Sequence, residues 1–162
     1  MDQRSLASVL ELHQNLSNLL HRYAKIHKMD PMRSLAIAMQ ETSLNNIHRK
    51  RNVFVFYEKC ADSKCVKLYK EVEGYSDLSI FQFHVDTIKY FNIDPIKLNG
   101  SLEYAVQTHF KILKHKQEQC AHLNENAWAC YHSKTPKHQK RYITMVNRWY
   151  SKPINMAKGA GT

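Results

Sequence analysis

Apolar side chains recur at steps of three and four near the start of the chain, at Val9, Leu12, Leu16, Leu19, Tyr23 and Ile26, with polar residues between them. That spacing keeps one helical face apolar, so an amphipathic helix is predicted over residues 4 to 28. "KMDP" ends it and begins another. The Asp30 side chain can accept from the amides that a helix start leaves without partners, and Pro31 fits the first helical position, where no donor is needed. Met32, Leu35, Ala36 and Met39 carry the spacing on, placing Glu41 in the last turn of a mostly buried helix.

The period then changes. Residues 53 to 72, "VFVFYEKCADSKCVKLYKEV", alternate apolar and polar side chains on either side of "CADSKC", the pattern of a β-hairpin with its cysteines flanking the turn. "EGYSDLSIFQF" reads as a turn followed by an apolar run, and "HVDTIKYFNIDP" as a short helix that stops before Pro95. Leu102, Ala105, Val106, His109, Ile112 and Leu113 mark a longer helix. "ENAWACYHS" and "TPKHQKRYITMVNRWY" give two more, the second with Thr135 as cap and Pro136 at its first position. No internal repeat, linker or low-complexity segment interrupts the series. The fold class expected is α+β, mainly α-helical: one domain over residues 1 to 152 with a small β-hairpin, and a disordered tail over 153 to 162.

The 162 residues, 43% of them hydrophobic, can bury a real core. The formal net charge of +10 points to a polyanionic partner: nucleic acid, an anionic membrane face, or an acidic polymer such as a bacterial cell wall. The densest basic run, "HRKR" at 48 to 51, has only four members and no glycine-aromatic repeat beside it, which argues against nucleic acid. No apolar stretch has the length to cross a bilayer, and "MDQRSLASVLELHQ" lacks the order of a signal peptide, so an exported form would have lost a leader.

Four cysteines fall in two local pairs, Cys60 with Cys65 and Cys120 with Cys130. Neither spacing gives a C-x-x-C or a compact Cys/His grid, although His122 and His132 each lie two residues past a cysteine, so two disulfides are favoured over a metal site. An oxidising compartment, periplasmic or secreted, follows. Glu41 is the residue that opposes local design. A carboxylate at a helix C-terminus meets the negative end of the dipole and apolar neighbours, both of which disfavour its charged form and should raise its pKa.

Three pieces, in order, resemble the catalytic domain of soluble lytic transglycosylases, above all the specialised wall-cutting members of secretion and conjugation machines. "IAMQETSLN" is similar to the helix end and E-S-x-x-N segment that carries that family's catalytic glutamate, "SDLSIFQF" to its D-x-G-x-x-Q-I element, and "AWACYHSKTPKHQKRYITMV" to its A-Y-N element and the helix after it. The resemblance covers about residues 15 to 150. It implies a lysozyme-like fold, Glu41 as general acid and base, Gln82 lining the sugar groove, and Tyr131 near Glu41. Ser43 and Asn45 would shape the turn after the helix, and Phe81 and Ile80 the groove floor. Ser79 stands where the family has glycine, and His132 where it has asparagine. On residue type alone, Gln82 could instead be a strand-end hydrogen bonder, Ile80 and Phe81 simple core, and Tyr131 a buried aromatic with a wet hydroxyl.

The activity so implied is cleavage of the β-1,4 bond between N-acetylmuramic acid and N-acetylglucosamine by a monomeric enzyme that uses no cofactor or metal and binds peptidoglycan rather than nucleic acid. The glutamate protonates the glycosidic oxygen, then helps the muramic 6-hydroxyl attack its own anomeric carbon, leaving a 1,6-anhydro end. Hydrolysis is the near rival, with Asp62, Glu58, Glu71, Glu73 or Asp77 as candidates for holding a water, Asp77 being read first as a loop-fixing residue. From another class, a basic helical adaptor would explain the charge and little else. A degenerate transglycosylase that only grips glycan is a third reading.

Overall fold

The structure, a computed structural model, describes residues 6–42 and 49–150, with the backbone alone at 6–10, 49–58, 67–78 and 99. The chain runs α1 (Leu6–His27), α2 (Pro31–Thr42), β1 (Arg49–Ala61), β2 (Lys64–Leu78), β3 (Phe83–His84), α3 (Val85–Tyr90), α4 (Pro95–Gly100), α5 (Leu102–Gln119), a 3₁₀ segment (Ala121–Tyr131) and α6 (Pro136–Tyr150). It is α+β and mainly helical, as the pattern predicts. Ser43, Asn45 and the tail expected over 153–162 lie outside the described residues.

Helix α2 is the centre of the molecule. Every residue from Ser34 to Met39 is buried, more than the apolar stripe alone requires, because α2 has packing partners on both sides. One side meets Leu16, Leu20 and Ala24 of α1 and Val106 and Phe110 of α5. The other, through Ala36 and Ile37, meets Leu113, Trp128, Tyr142 and Val146. Arg33 links α2 to α6 by donating to Asn147 and lies between the rings of Trp128 and Tyr150, 4.3 and 4.2 Å from their centroids. The start of α2 is capped as expected: the Met32 amide donates to Asp30 Oδ1 at 2.9 Å.

The hairpin is longer than the alternation suggests. β1 and β2 pair antiparallel from Arg49↔Asp77 to Ala61↔Lys64, so residues 74 to 78, read from sequence as a turn, continue the strand. Asp62 and Ser63 form the turn with φ of 51° and 61°, the two left-handed residues that match a hairpin's twist. Cys60 faces Cys65 across the pair, and the two are bonded. β2 also pairs with the two-residue β3 through Asp77↔His84 and Leu78↔Phe83, giving the order β1-β2-β3.

Between β2 and β3 the chain turns sharply through Ser79, Ile80, Phe81 and Gln82. The turn closes by a bond from the Gln82 amide to the Ser79 carbonyl at 3.0 Å, and both end residues take positive φ, 71° at Ser79 and 50° at Gln82. Serine therefore stands in a backbone conformation that favours glycine, at the position where the sequence departs from the resembled family.

Two further differences from the sequence reading have local causes. Pro95 begins a helix rather than only ending one, because Asp94 caps α4 by accepting from Ile96 and Lys97 at 2.9 and 3.1 Å, the device already seen at Asp30 and Pro31. Most of "ENAWACYHS" lies in the 3₁₀ segment Ala121–Tyr131, which is broken just before that stretch at Asn124, where φ is 51° and ψ −122°. Pro136 does begin α6, but the side-chain bond there is to Ser133, whose hydroxyl accepts from the Thr135 amide at 3.1 Å. The second disulfide, Cys120 to Cys130, spans the 3₁₀ segment and is buried, with the Gln139 amide over both sulfurs. Among the described residues no helix is long and apolar enough to cross a membrane. The two disulfides fit an oxidising compartment.

Candidate active site

Glu41 ends α2 at the wall of a cavity of about 260 Å³, its side chain only 13% exposed. The cavity is lined by Glu41, Gln82, Phe83, His84, Thr87, Ile112, Lys116, Tyr131 and His132, which come from α2, the loop before β3, α3, α5 and the 3₁₀ end. Three residues named from sequence thus meet at one space: Glu41, Gln82 and Tyr131. Bonds from Thr42 of α2 and Tyr131 of the 3₁₀ end to the carbonyls of Ile80 and Phe81 hold that convergence together.

The Glu41 carboxylate is held from behind. The Tyr142 hydroxyl donates to Oε1 at 2.7 Å, and His132 lies flat on the Tyr142 ring, centroids 4.6 Å apart and planes 10° apart, with Nδ1 3.9 Å from the same oxygen. Tyr142 is fully buried, and its ionisation is pushed well up by that burial, then by the Glu41 charge and the bond to it. It therefore stays a donor. Tyr131 is pushed up too, by burial first and the Glu41 charge second, but its hydroxyl donates to the Phe81 carbonyl at 3.0 Å.

That bond fastens the Ser79–Gln82 loop to the 3₁₀ end. Another, from Thr42 Oγ1 to the Ile80 carbonyl at 2.9 Å, fastens it to α2. Ile80 and Phe81, expected on a groove floor, instead have their side chains in the core, 6% and 0% exposed, and neither residue lines the cavity. Phe81 stacks on His109 at 4.2 Å. His109 is buried and bonded through Nε2 to Ser34 Oγ at 2.8 Å, its Nδ1 has no partner, and burial pushes its pKa down to about 3. Gln82 faces the cavity while its Nε2 donates to the Ser79 carbonyl at 3.0 Å.

The sequence reading missed Tyr142 and Lys116. Tyr142 lies with Gln139 and Val146 on the buried face of α6, at helical spacing, and could have been read as core from that spacing alone. Lys116 follows Ile112 by four on α5, so a cation continues a buried stripe, which is a legible anomaly. Its ammonium is held below the usual lysine range by burial and then by the nearby Lys134 charge. Of the acids proposed for holding a water, Asp62 is exposed at the hairpin tip, and the side chains of Glu58, Glu71, Glu73 and Asp77 lie outside the described residues. Among the described residues no three His, Cys, Asp or Glu gather as a metal site would need, and Glu41 is the one carboxylate lining the cavity.

No protein-family model, curated protein or solved structure matches this chain.

Proposed function

We propose that the protein is a peptidoglycan-cleaving enzyme of lysozyme-like fold, acting between N-acetylmuramic acid and N-acetylglucosamine as a lytic transglycosylase in the periplasm or outside the cell. The observation that carries the reading is Glu41 recessed in a cavity that Gln82 and Tyr131 also line, with Tyr142 fixing its carboxyl from the protein side. Protonated Glu41 gives its proton to the bridging oxygen as the bond from the muramic anomeric carbon breaks, the electron pair leaving with that oxygen. The carboxylate then takes the proton of the muramic 6-hydroxyl as that oxygen closes on the anomeric carbon. Glu41 is returned to its starting state, and no water is consumed. The +10 charge suits an anionic wall.

Positioned proton transfer contributes on the order of a hundred- to ten-thousandfold, so Glu41→Gln is expected to lower turnover by that range with the fold intact. Product masses from digested peptidoglycan test the reaction: 1,6-anhydro ends are expected from the wild type and none from the variant. Full activity in Glu41→Gln would remove the assignment. Hydrolysis keeps one support, the register that sets Asp77 opposite the cavity residue His84. Reducing ends from the wild type, lost in Asp77→Asn, would favour it.

A further inference from the structure

Lys116 is a half-buried cation facing the same cavity as Glu41. Among the described residues no carboxylate lies within ion-pair reach of its ammonium, and Lys134 adds a second positive charge beside it. Such an arrangement is costly to fold: burial removes water from the ammonium, and a like charge repels it. A lysine at a helix end ordinarily complements the dipole from solvent, where it needs no recess. Lys116 instead follows Ile112 into the cavity wall, across a space whose one described carboxylate is already occupied by Tyr142.

We propose that Lys116 receives a carboxylate carried by the substrate, so that the cavity selects an acidic amino sugar over a neutral one. This rests on the glycan-cleaving reading above and names its substrate class. A sugar seated with its glycosidic oxygen toward Glu41 can present a substituent to the α5 wall. A neutral N-acetylhexosamine has nothing there for an ammonium, whereas a muramic residue carries an acidic substituent, as its own lactyl carboxylate or, once that is amidated, as the carboxylates of an attached peptide. A carboxylate supplied by the substrate would balance the ammonium that the described residues leave without an ion pair.

The test measures binding to the Glu41→Gln protein, so that turnover does not intervene. Calorimetry compares three glycans of equal length: a chitin oligosaccharide, a peptide-free muramic oligosaccharide, and one bearing peptides. A charge-assisted bond at a half-buried site is expected to favour an acidic glycan over chitin about tenfold. Lys116→Gln should abolish that preference and Lys116→Arg should retain most of it. Preference for the peptide-free glycan identifies the lactyl carboxylate, and preference confined to the peptide-bearing one identifies the stem. Equal binding of all three, or a preference that survives Lys116→Gln, overturns the inference and leaves glycan cleavage standing. Failure to bind or cut any glycan sinks the enzyme reading itself, and this inference with it.

Discussion

Burial of the Tyr142 hydroxyl and of the His109 ring makes stability depend on pH from opposite sides. His109 is pushed down to about 3 from an ordinary 6.5, so between those values the unfolded chain binds a proton that the native state refuses. Its contribution is present above 6.5 and is lost as pH falls toward 3, at about 1.4 kcal/mol per unit. Urea titrations of the wild type and His109→Gln between pH 4 and 6.5 are expected to differ in slope by about that amount. Tyr142 works from the other side. Its raised pKa means that the unfolded chain loses a proton the native state keeps, so stability is present below 10 and falls as pH rises above it. Ultraviolet titration should find Tyr142 ionising earlier in Glu41→Gln, though still above 10, since burial is the larger cause. Glu41 was legible because an acid sat in the last turn of an apolar helix, whereas Gln82 was reached only through the resemblance carried by "SDLSIFQF". Tyr142 was not, because an aromatic on a buried stripe looks like any other until packing brings it to a carboxylate 101 positions away.

The Ser79–Gln82 loop and the two disulfides show what individual elements contribute. With φ of 71°, Ser79 is strained where glycine would not be, and Ser79→Gly is expected to stabilise the fold by up to about 1 kcal/mol, read as a shift in urea midpoint at unchanged m. The gain is limited by the extra freedom glycine has when unfolded. The disulfides differ in access. Cys60 and Cys65 lie exposed at the hairpin tip, while Cys120 and Cys130 are 2% and 1% exposed beneath Gln139. Mild reductant under native conditions should therefore free the hairpin pair first, giving two labelled thiols by mass and unchanged near-ultraviolet dichroism; four labelled thiols at once would contradict the burial. Helix α4 was missed in the sequence because Pro95 was weighed as a stop and its capping aspartate was not weighed with it. The extent of the hairpin was missed because alternation weakens across "EGYSD".

At the scale of the molecule, the fold gathers charge that looked dispersed. From Asn126 to Tyr150 the chain has no Asp or Glu, and Lys134, Lys137, Lys140, Arg141 and Arg148 are all exposed along or just before α6. With the buried face of α6 turned to α2, these cations look outward from the covered side. Initial rates on suspended wall should fall as ionic strength rises to about 0.15 M, where the screening length is about 8 Å, and should fall less on short neutral oligosaccharides. The mainly helical class was readable from periodicity; the sidedness of the charge was not, since it depends on which face of the last helix is covered. That same pairing of α6 with α2 has a bearing on synthesis. Glu41 leaves the ribosome early, but the hydroxyl that steadies it leaves about a hundred residues later. On the function proposed above, the nascent chain therefore carries its acid long before that acid has its partner, and a product that stopped short of the last helix would lack the hydroxyl that holds Glu41.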